Sequence, residues 1–323
     1  MGALPAHVTG RFEDPAAFQQ STDGTYFIFD RRSHSVFAYT SGDQAPRKIV
    51  QIGAERGRLL RPTAFDLASD RTFVIADAPG PAERVQIFSS GGASLSGFTL
   101  TSRNLPRLTV GGYVLNGIGS LEYTGSSILV SQPETGTLVT QYGVDGRIAR
   151  SFGELRRTGH EADADVHAAL NVGLPLVNPK GGFYYVFAAG VPVFRKYDAG
   201  GTLVFERHVE GIELDGHLRT LPTTWSSRRS SEGEVPIIQP TVRTAAVDRD
   251  GNLWISLAVP FTYVYDSDGD KRRVLQFRAA GILEPHSLFF TADGRVLVTP
   301  GCYAFAANGD SPAKKRAPLG STR

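Results

Sequence analysis

The sequence predicts an all-β fold, a six-bladed β-propeller of four-stranded blades whose ring is closed by an N-terminal strand that completes the last blade. Three observations predict it. One apolar, strand-like segment recurs six times, five copies are followed by a strand that ends in an aromatic residue and a glycine turn, and the last copy lacks a fourth strand. Because one small sheet cannot bury both faces until neighbours stack on it, this repetition is typical of propeller blades and disfavours an ordinary β-sandwich.

The clearest copy of the repeated unit is Gln239 to Leu257. Thr244 to Val247 and Asn252 to Leu257 have the composition of two strands, and Asp-Arg-Asp-Gly at positions 248–251 supplies turn residues between them. Two strand-like runs joined by such a turn predict a β-hairpin.

The other copies align with this one through their second strands. The six second-strand segments begin at Gly24, Arg71, Ser126, Gly182, Gly251 and Gly294. The aromatic residues that end the third strands are Tyr39, Phe88, Tyr142, Tyr197 and Tyr265. A further apolar run follows, so the unit contains four short strands, as a propeller blade requires.

The two ends of the chain predict how the ring closes. The last unit has three recognisable strands, at Ser287 to Phe290, Arg295 to Thr299 and Tyr303 to Ala306. We expect the segment Met1 to Phe12, with a strand at His7 to Phe12, to supply the missing outer strand and so remove an exposed sheet edge. This predicts one propeller domain over residues 1–309 and a disordered basic tail over residues 310–323.

Charge and composition exclude several classes of protein. The net charge is +2, and the tail carries four basic residues against one acid, so the folded body is close to neutral and offers no general reason to bind nucleic acid. No apolar run is long enough to predict a membrane span. The single cysteine, Cys302, excludes an intramolecular disulfide and is expected to be a buried apolar side chain. We expect a monomer.

The repeated units resemble a known family. RVQIFSSGG from Arg84, the residues Asp30 and Asp77 that close their second strands, and QPTVRTAAVDRDGNLWIS from Gln239 are similar to NHL repeats, the units of six-bladed propellers found in bacterial periplasmic and secreted proteins. The resemblance implies a ring with a central channel and a periplasmic or secreted location, with the leader not in this chain. A cytoplasmic location is the alternative, because the lack of disulfides suits both. The resemblance implies no chemistry.

One enzymatic branch of that resemblance can be compared by residue. Peptidyl-amidoglycolate lyases are similar propellers that hold zinc with one histidine from each of three blades, and Pro285-His286-Ser287 matches their blade-opening motif. The corresponding pairs elsewhere are Pro15-Ala16, Pro62-Thr63 and Pro240-Thr241. One histidine does not make a zinc site, so we predict no cofactor and interpret His286 as a metal-free residue at the channel mouth. The Glu-Gly-Pro of lactonase-type propellers is absent from the first blade, which weakens a hydrolase interpretation.

Two acidic clusters have structural interpretations. Residues 159–167 (GHEADADVH) are expected to form a solvated loop, with the first turns of a short helix as the alternative. Residues 266–270 (DSDGD) lack the glycine and glutamate positions of an EF-hand and are expected to be a hairpin turn.

The longest spacing between units contains an extra segment, Gly211 to Pro240. It carries Trp225 and three arginines, Arg219, Arg228 and Arg229, among Ser, Thr and Pro. Long loops are commonly functional or disordered, so a lid over one channel mouth and an ordinary connection are both open. As a lid, Trp225 would bury its ring and the arginines would face an anionic ligand.

Together these observations favour a non-catalytic binding or scaffold propeller that binds an unidentified protein, peptide or small ligand. The predicted ligand-binding residues are Thr63, Thr241, Arg243, His286, Trp225 and Arg219. The alternative is a metal-assisted lyase or hydrolase with its site at the central channel.

Overall fold

The computed structural model of the protein describes residues 2–80, 82–100, 107–110, 113–116, 120–230 and 233–307. Within these residues six four-stranded antiparallel sheets are arranged as a six-bladed β-propeller, which confirms the predicted fold class. The predicted tail, residues 310–323, lies outside the described residues.

The first half of the chain forms three blades. It begins with strand β1 (Gly2–Ala3) and helix α1 (Ala6–Thr9). Blade 1 contains β2 (Pro15–Gln20), β3 (Tyr26–Asp30), β4 (Ser35–Tyr39) and β5 (Arg47–Val50). Blade 2 contains β6 (Pro62–Leu67), β7 (Phe73–Asp77), β8 (Glu83–Phe88) and β9 (Ser94–Leu100). A separate hairpin, β10 (Arg107–Val110) and β11 (Tyr113–Asn116), precedes blade 3, which contains β12 (Leu121–Tyr123), β13 (Ser127–Ser131), β14 (Thr137–Gly143) and β15 (Ile148–Glu154).

The second half forms the other three blades. Helix α2 (Ala164–Asn171) leads into blade 4, with β16 (Gly173–Val177), β17 (Phe183–Phe187), β18 (Val193–Tyr197) and β19 (Leu203–His208). Helix α3 (Ile212–Leu218) and a second separate hairpin, β20 (Ser227–Ser230) and β21 (Gly233–Pro236), precede blade 5, with β22 (Val242–Val247), β23 (Leu253–Leu257), β24 (Thr262–Tyr265) and β25 (Lys271–Leu275). Blade 6 contains β26 (Ser287–Phe290), β27 (Arg295–Thr299) and β28 (Tyr303–Ala306).

The first strand of each blade lies nearest the central axis, because it contacts the first strands of both neighbouring blades around the whole ring. The second strands, which are the six predicted copies, are almost entirely buried between blades. The aromatic residues that end the third strands are all buried there as well: Tyr39, Phe88, Tyr142, Tyr197 and Tyr265. The repeated aromatic position therefore marks the inter-blade core.

The ring is closed by the N-terminus, as predicted, but by different residues. Strand β1 is the outer strand of blade 6, with Gly2 opposite Ala304 and Ala3 opposite Tyr303. The predicted strand at His7 to Phe12 is wrong, because residues 6–9 form helix α1. Leu4, which precedes the helix, and Val8, within it, are both buried against blades 1 and 6.

The turn between the first two strands of blade 5 is organised by one carboxylate. Asp248 Oδ1 accepts hydrogen bonds from the backbone N–H groups of Asp250 (3.0 Å) and Asn252 (2.9 Å), and its Oδ2 accepts one from the indole N–H of Trp254 (2.9 Å). Gly251 adopts a φ of +84°, which glycine tolerates without steric cost. The hairpin predicted from this stretch is confirmed in both its strands and its turn.

Two buried aspartates brace the connections between blades. Asp30 accepts backbone hydrogen bonds from Glu13 (2.7 Å) and Asp14 (3.1 Å), the residues that lead into β2. Asp77, at the same position of blade 2, accepts one from Leu60 (3.0 Å) and binds the guanidinium of Arg84 through both of its oxygens. The aspartates on which the NHL resemblance partly depends are thus structural in this chain.

The extra elements gather at the end of the ring where the innermost strands begin, which we call the upper face. Helix α2 and the hairpin strand β21 both contact β10 there. Of the acidic cluster 159–167, Asp163 caps helix α2 by accepting a hydrogen bond from the Val166 N–H (3.1 Å), so both the loop and the short helix are present. None of the helices that the structure describes is long and apolar enough to cross a membrane.

The single cysteine is buried, as predicted. Cys302 lies in the cluster that joins α1 to blades 1 and 6, and burial raises the pKa of its thiol to about 12. A thiol with so high a pKa is protonated at neutral pH and is a poor nucleophile.

Candidate functional site

A pocket of about 280 Å³ lies on the upper face where the chain enters blade 5. Its wall is formed by the end of α3, the loop that follows it, the base of the β20–β21 hairpin, and the residues that lead into β22. The lining residues are His217, Thr220, Leu221, Pro222, Thr224, Trp225, Ser226, Ile237, Gln239, Pro240 and Thr241.

The segment that forms most of this pocket is fixed to the propeller at its first end. Leu214 of α3 is completely buried in the core between blades 4 and 5, and Glu213 accepts a hydrogen bond from the Tyr263 hydroxyl (2.7 Å). The hydrogen bond from Tyr263 lowers the pKa of the Glu213 carboxyl. The predicted segment Gly211 to Pro240 therefore contains ordered helix and hairpin structure rather than being a simple linker.

Two ring nitrogens of the pocket residues are buried without a partner. Trp225 packs its half-buried ring against a small apolar cluster that includes Leu170 and Ile238, and its Nε1 has no hydrogen-bond partner among the described residues. The Nε2 atom of His217 is also buried and unpartnered there. Buried polar groups are nearly always hydrogen-bonded, so these two unpartnered nitrogens are exceptions among the residues that line the pocket, which makes it the candidate site.

A β-bulge recurs where the innermost strands begin. The register shifts by one residue at Ala16 in blade 1, Thr63 in blade 2 and Arg243 in blade 5. In blade 6, His286 precedes the matched pair Ser287–Thr299 and donates its backbone N–H to Thr299 O (3.0 Å), which puts it at the same position. Bulges re-aim side chains and are common beside functional sites.

This register corrects one part of the sequence alignment. Val242 stands opposite Leu257, so Arg243, and not Thr241, is the blade 5 equivalent of Thr63 and His286. Thr241 lies two residues earlier, where it is buried and lines the pocket.

Ion pairs surround His286 on the upper face. Arg243 binds Glu284 (2.7 Å), and Arg31 binds Asp14 (3.0 Å). The His286 ring is accessible to water but crowded by neighbouring chain, and this partial desolvation, with the positive charge of Arg243, lowers its pKa. His286 is therefore mainly neutral at pH 7.

A second polar cluster links the innermost strands of blades 1 to 4. Gln19 accepts a hydrogen bond from Leu67 N–H (2.8 Å) and donates one to Asp66 (3.0 Å). Asp66 accepts one from Tyr123 N–H (2.7 Å), and Glu122 accepts one from Val177 N–H (3.3 Å). Each side chain thus connects its blade to the next one.

The two carboxyls of this cluster hold protons more tightly than usual. Burial raises the pKa of Asp66 to about 6, although hydrogen bonds from Tyr123 and Gln19 oppose the rise. Burial and the nearby charge of Asp66 raise the pKa of Glu122 well above its ordinary value. Because the folded state binds these protons more tightly than the unfolded chain, their ionisation destabilises the fold.

We predict that Glu122→Gln reduces the loss of stability at higher pH. The stability contributed by the protonated Glu122 carboxyl is complete below its ordinary pKa of 4.5 and is lost as pH rises through its raised pKa in the folded state. The amide keeps an oxygen for the Val177 N–H, so the variant should be more stable than the parent at pH 8 by roughly 1–2 kcal/mol and similar at pH 4. Urea unfolding at both pH values measures this difference.

Comparing the variant with the parent at each pH cancels the contributions that other titrating groups make to the pH dependence of stability. His34 and His286 have lowered pKa values, which act in the opposite direction over the same pH range but equally in both proteins. Glu55→Gln, at an exposed carboxylate, is the matched control. Equal pH dependence in the parent and Glu122→Gln would contradict the assignment.

The structure brings the predicted site residues together in two groups. Trp225 and Thr241 line the pocket, while Arg243 and His286 lie at equivalent positions of adjacent blades. Thr63 takes that position in blade 2 and donates a long hydrogen bond to Ala76 O (3.4 Å).

Arg219 and Arg229 of the extra segment do not line the pocket. Arg219 and Arg229 are exposed, and the side chain of Arg228 lies outside the described residues. His217 was missed in the sequence, since nothing in the pattern around it distinguishes a pocket residue from a surface helix residue.

The described residues contain no cluster of metal-ligating side chains that supports a metal site. Among the described residues no group of three or more His, Cys, Asp and Glu side chains converges. Asp266 to Asp270 form the predicted turn, in which Asp266 accepts hydrogen bonds from the N–H groups of Asp268 (3.0 Å) and Asp270 (2.9 Å).

The ring and its covered upper face define the class of protein: a six-bladed propeller with a pocket at one end. No family model matches the sequence, and no curated protein is detectably similar to it. The fold has relatives among solved structures, and those described below are of low sequence identity.

Three of these similar structures are lyases. A streptogramin B lyase is 11% identical, with a TM-score of 0.53 over 94% of each chain. The virginiamycin B lyase of Staphylococcus aureus is 10% identical, with a TM-score of 0.51 over 94% of this chain and 86% of the lyase. A catalytically inactive histidine-to-alanine variant of that enzyme, with quinupristin, gives 10% identity and a TM-score of 0.53 over 96% and 88%. At such identities the likeness shows the propeller fold alone.

Proposed function

We propose that this protein is a non-catalytic β-propeller that binds a small ligand or a short peptide in the upper-face pocket. The observation that supports the proposal is the pair of unpartnered nitrogens, Trp225 Nε1 and His217 Nε2, in residues that line one pocket. Leaving a buried polar group unpaired costs roughly 1–3 kcal/mol, so a side-chain rotation that brings either nitrogen to a ligand in the pocket would remove that cost. In this proposal the protein is an NHL-repeat-like propeller that works outside the cytoplasm.

The structure of the extra segment, Gly211 to Pro240, also supports binding. Helix α3 is anchored by Leu214 and Glu213, and the β20–β21 hairpin holds the other wall through its four residue pairs. A pocket whose walls are ordered before the ligand arrives loses little conformational entropy on binding. The residues from Thr220 to Ser226 join these two ordered parts and carry Trp225.

The proposal predicts that ligand binding protects this segment and depends on Trp225. Neutral, anionic and cationic fragments are screened by hydrogen exchange, and at least one fragment should slow exchange in residues 211–240. Trp225→Ala should weaken its affinity by about tenfold or more, because it removes both the ring surface and the N–H donor. The propeller should remain folded, because Trp225 lies outside the inter-blade cores.

Arg219→Ala is the matched control, since Arg219 belongs to the same segment but does not line the pocket. It should leave fragment affinity within about twofold of the parent. If no fragment of any charge protects residues 211–240, the pocket is not a binding site and the proposal fails.

The alternative function is a metal-assisted lyase or hydrolase at the central channel. The propeller fold is compatible with it, as with binding and scaffold functions. His286 occupies the position at which the blade-opening motif places a metal-binding histidine. No convergent set of metal-binding side chains in the described residues favours it over binding.

A further inference from the structure

The part of the pocket wall formed by Pro240 and Thr241 is attached to blade 4. Pro240 forms a β-bridge with Ala189, which lies in the loop between β17 and β18. The backbone N–H groups of Thr241 (2.9 Å) and Val242 (3.1 Å) both donate to Ala188 O in the same loop. The position of this wall therefore depends on the position of that loop.

The loop is held in turn by the guanidinium of Arg156, which comes from the connection between blades 3 and 4. Its Nη1 donates to Val191 O (2.9 Å), and its Nη2 donates to Ala189 O and to Leu170 O (2.8 Å). Gly190 has a φ of +72°, and a Cβ there would lie 3.1 Å from Arg156 Nη2. The loop is thus closely fitted around one side chain from outside its own blade.

The contact with Leu170 connects Arg156 to a second part of the pocket. Leu170 lies in the last turn of α2, where main-chain carbonyl groups have no partner within the helix. Its side chain belongs to the small apolar cluster against which the ring of Trp225 packs. One guanidinium therefore supports both the wall at Pro240 and Thr241 and the cluster behind Trp225.

Arg156 is itself held in place on several sides. The fully buried side chain of Asn171 accepts a hydrogen bond from the Arg156 N–H (2.8 Å) and donates one to Arg156 O (3.2 Å). The guanidinium carbon lies 4.3 Å from the centre of the Phe187 ring. Burial lowers the pKa of Arg156 to about 10, so the group is still cationic at pH 7. Hydrogen bonds donated by a cation are stronger than those between neutral groups.

We propose that Arg156 is a positioning residue for ligand binding: its hydrogen bonds to Ala189 and Leu170 fix the two parts of the pocket described above. This inference rests on the proposed binding function and adds a residue that does not line the pocket. It places one determinant of affinity in the connection between blades 3 and 4, outside the segment that carries Trp225.

The first measurement is hydrogen exchange in the ligand-free protein. Arg156→Met keeps an unbranched side chain but removes the donors. The amide hydrogens of Thr241 and Val242 should then exchange about ten- to hundredfold faster, because the loop that accepts their hydrogen bonds has lost its charged donor. Urea unfolding of both proteins confirms that the exchange is compared between folded states.

The two tryptophans of the chain give a second, spectroscopic measurement. Acrylamide should quench the fluorescence of Trp225 more strongly in Arg156→Met than in the parent, because the cluster behind its ring is no longer fixed. Trp254, which is 1% exposed in the core between blades 5 and 6, should stay protected in both proteins. A variant that only lowered global stability would not change the quenching of the folded protein.

Arg156→Lys keeps the charge, but a single ammonium lacks the planar fork that spans three carbonyl groups, so it should restore only part of the protection. This variant also serves for the test if Arg156→Met does not fold. Arg150→Met is the matched control. The Arg150 guanidinium lies 4.9 Å from the centre of the Phe183 ring and donates to Ala199 O (2.7 Å), at the opposite end of β18 from the loop that holds the pocket wall. Exchange at Thr241 should stay within about twofold of the parent in this control.

Binding is measured with the fragment that most slows exchange in residues 211–240 of the parent. Its affinity for Arg156→Met should be about tenfold lower, because the pocket is less ordered before the fragment arrives. Unchanged exchange and quenching, or equal affinity in the variant and the parent, would show that Arg156 does not position the pocket, while the binding function would stand. If no fragment protects the segment in the parent, the proposed function fails and the role of Arg156 in binding fails with it.

Discussion

A chain that starts at Glu13 should lose at least about 4 kcal/mol of its free energy of unfolding and should aggregate. The deletion removes Leu4 and Val8, each worth about 1.5–3 kcal/mol when buried, and the ring contact of Phe12 with Phe37. It also removes β1, which leaves β28 as a free sheet edge. Urea unfolding and light scattering measure the two effects.

Point variants within the same segment show which residues matter. Val8→Ala should cost about 1–3 kcal/mol, because Val8 is completely buried between blades 1 and 6. His7→Ala, at the exposed neighbouring position, should change stability by less than about 0.5 kcal/mol. A truncated chain that unfolds at the parent urea concentration and stays monomeric would show that the ring does not depend on this closure.

Asp77→Ala should destabilise blade 2 by about 3–5 kcal/mol. The Asp77 side chain is 0% exposed and that of Arg84 is 15% exposed, with 2.6 Å between Asp77 Oδ2 and Arg84 Nη2. Removing one partner of a buried ion pair leaves the other charge uncompensated, and here the Leu60 N–H also loses its acceptor. Thermal and urea unfolding give the loss directly.

The matched control is Asp14→Ala, which breaks the ion pair with Arg31. Those side chains are 31% and 33% exposed, so water replaces the lost partner and the expected cost is about 1 kcal/mol or less. Equal losses in the two variants would mean that burial does not decide the strength of these pairs.

The fold could be predicted because its signal is repeated. The second strands and their buried aromatic partners recur six and five times, and a repeated pattern averages out the ambiguity of any one short strand. The closure by the N-terminus followed from counting strands in blade 6. The residues that form the closing strand could not be predicted, because β1 is only two residues long and carries no alternating pattern.

The candidate site could be predicted less completely from the sequence than the fold. A β-bulge adds one residue without changing composition, so the alignment put Thr241 where the register puts Arg243. The pocket combines a helix end with the base of a hairpin, and α3 is hard to predict because it is short and contains Gly216. Trp225 was identified because it lies in the extra segment of the longest spacing between units, whereas His217 required the three-dimensional arrangement.

The pairing of β1 with β28 has a consequence for synthesis of the chain. Gly2 and Ala304 are far apart in the sequence, so the ribosome adds Gly2 to the chain long before Ala304. At roughly 5–20 residues per second, β1 waits for about 15–60 s while the other blades are made. The entropy of closing so long a loop grows only slowly with its length, but contacts of high sequence separation form late in folding. Strand β1 is therefore expected to be among the last elements to reach its native position, although it is translated before all six blades.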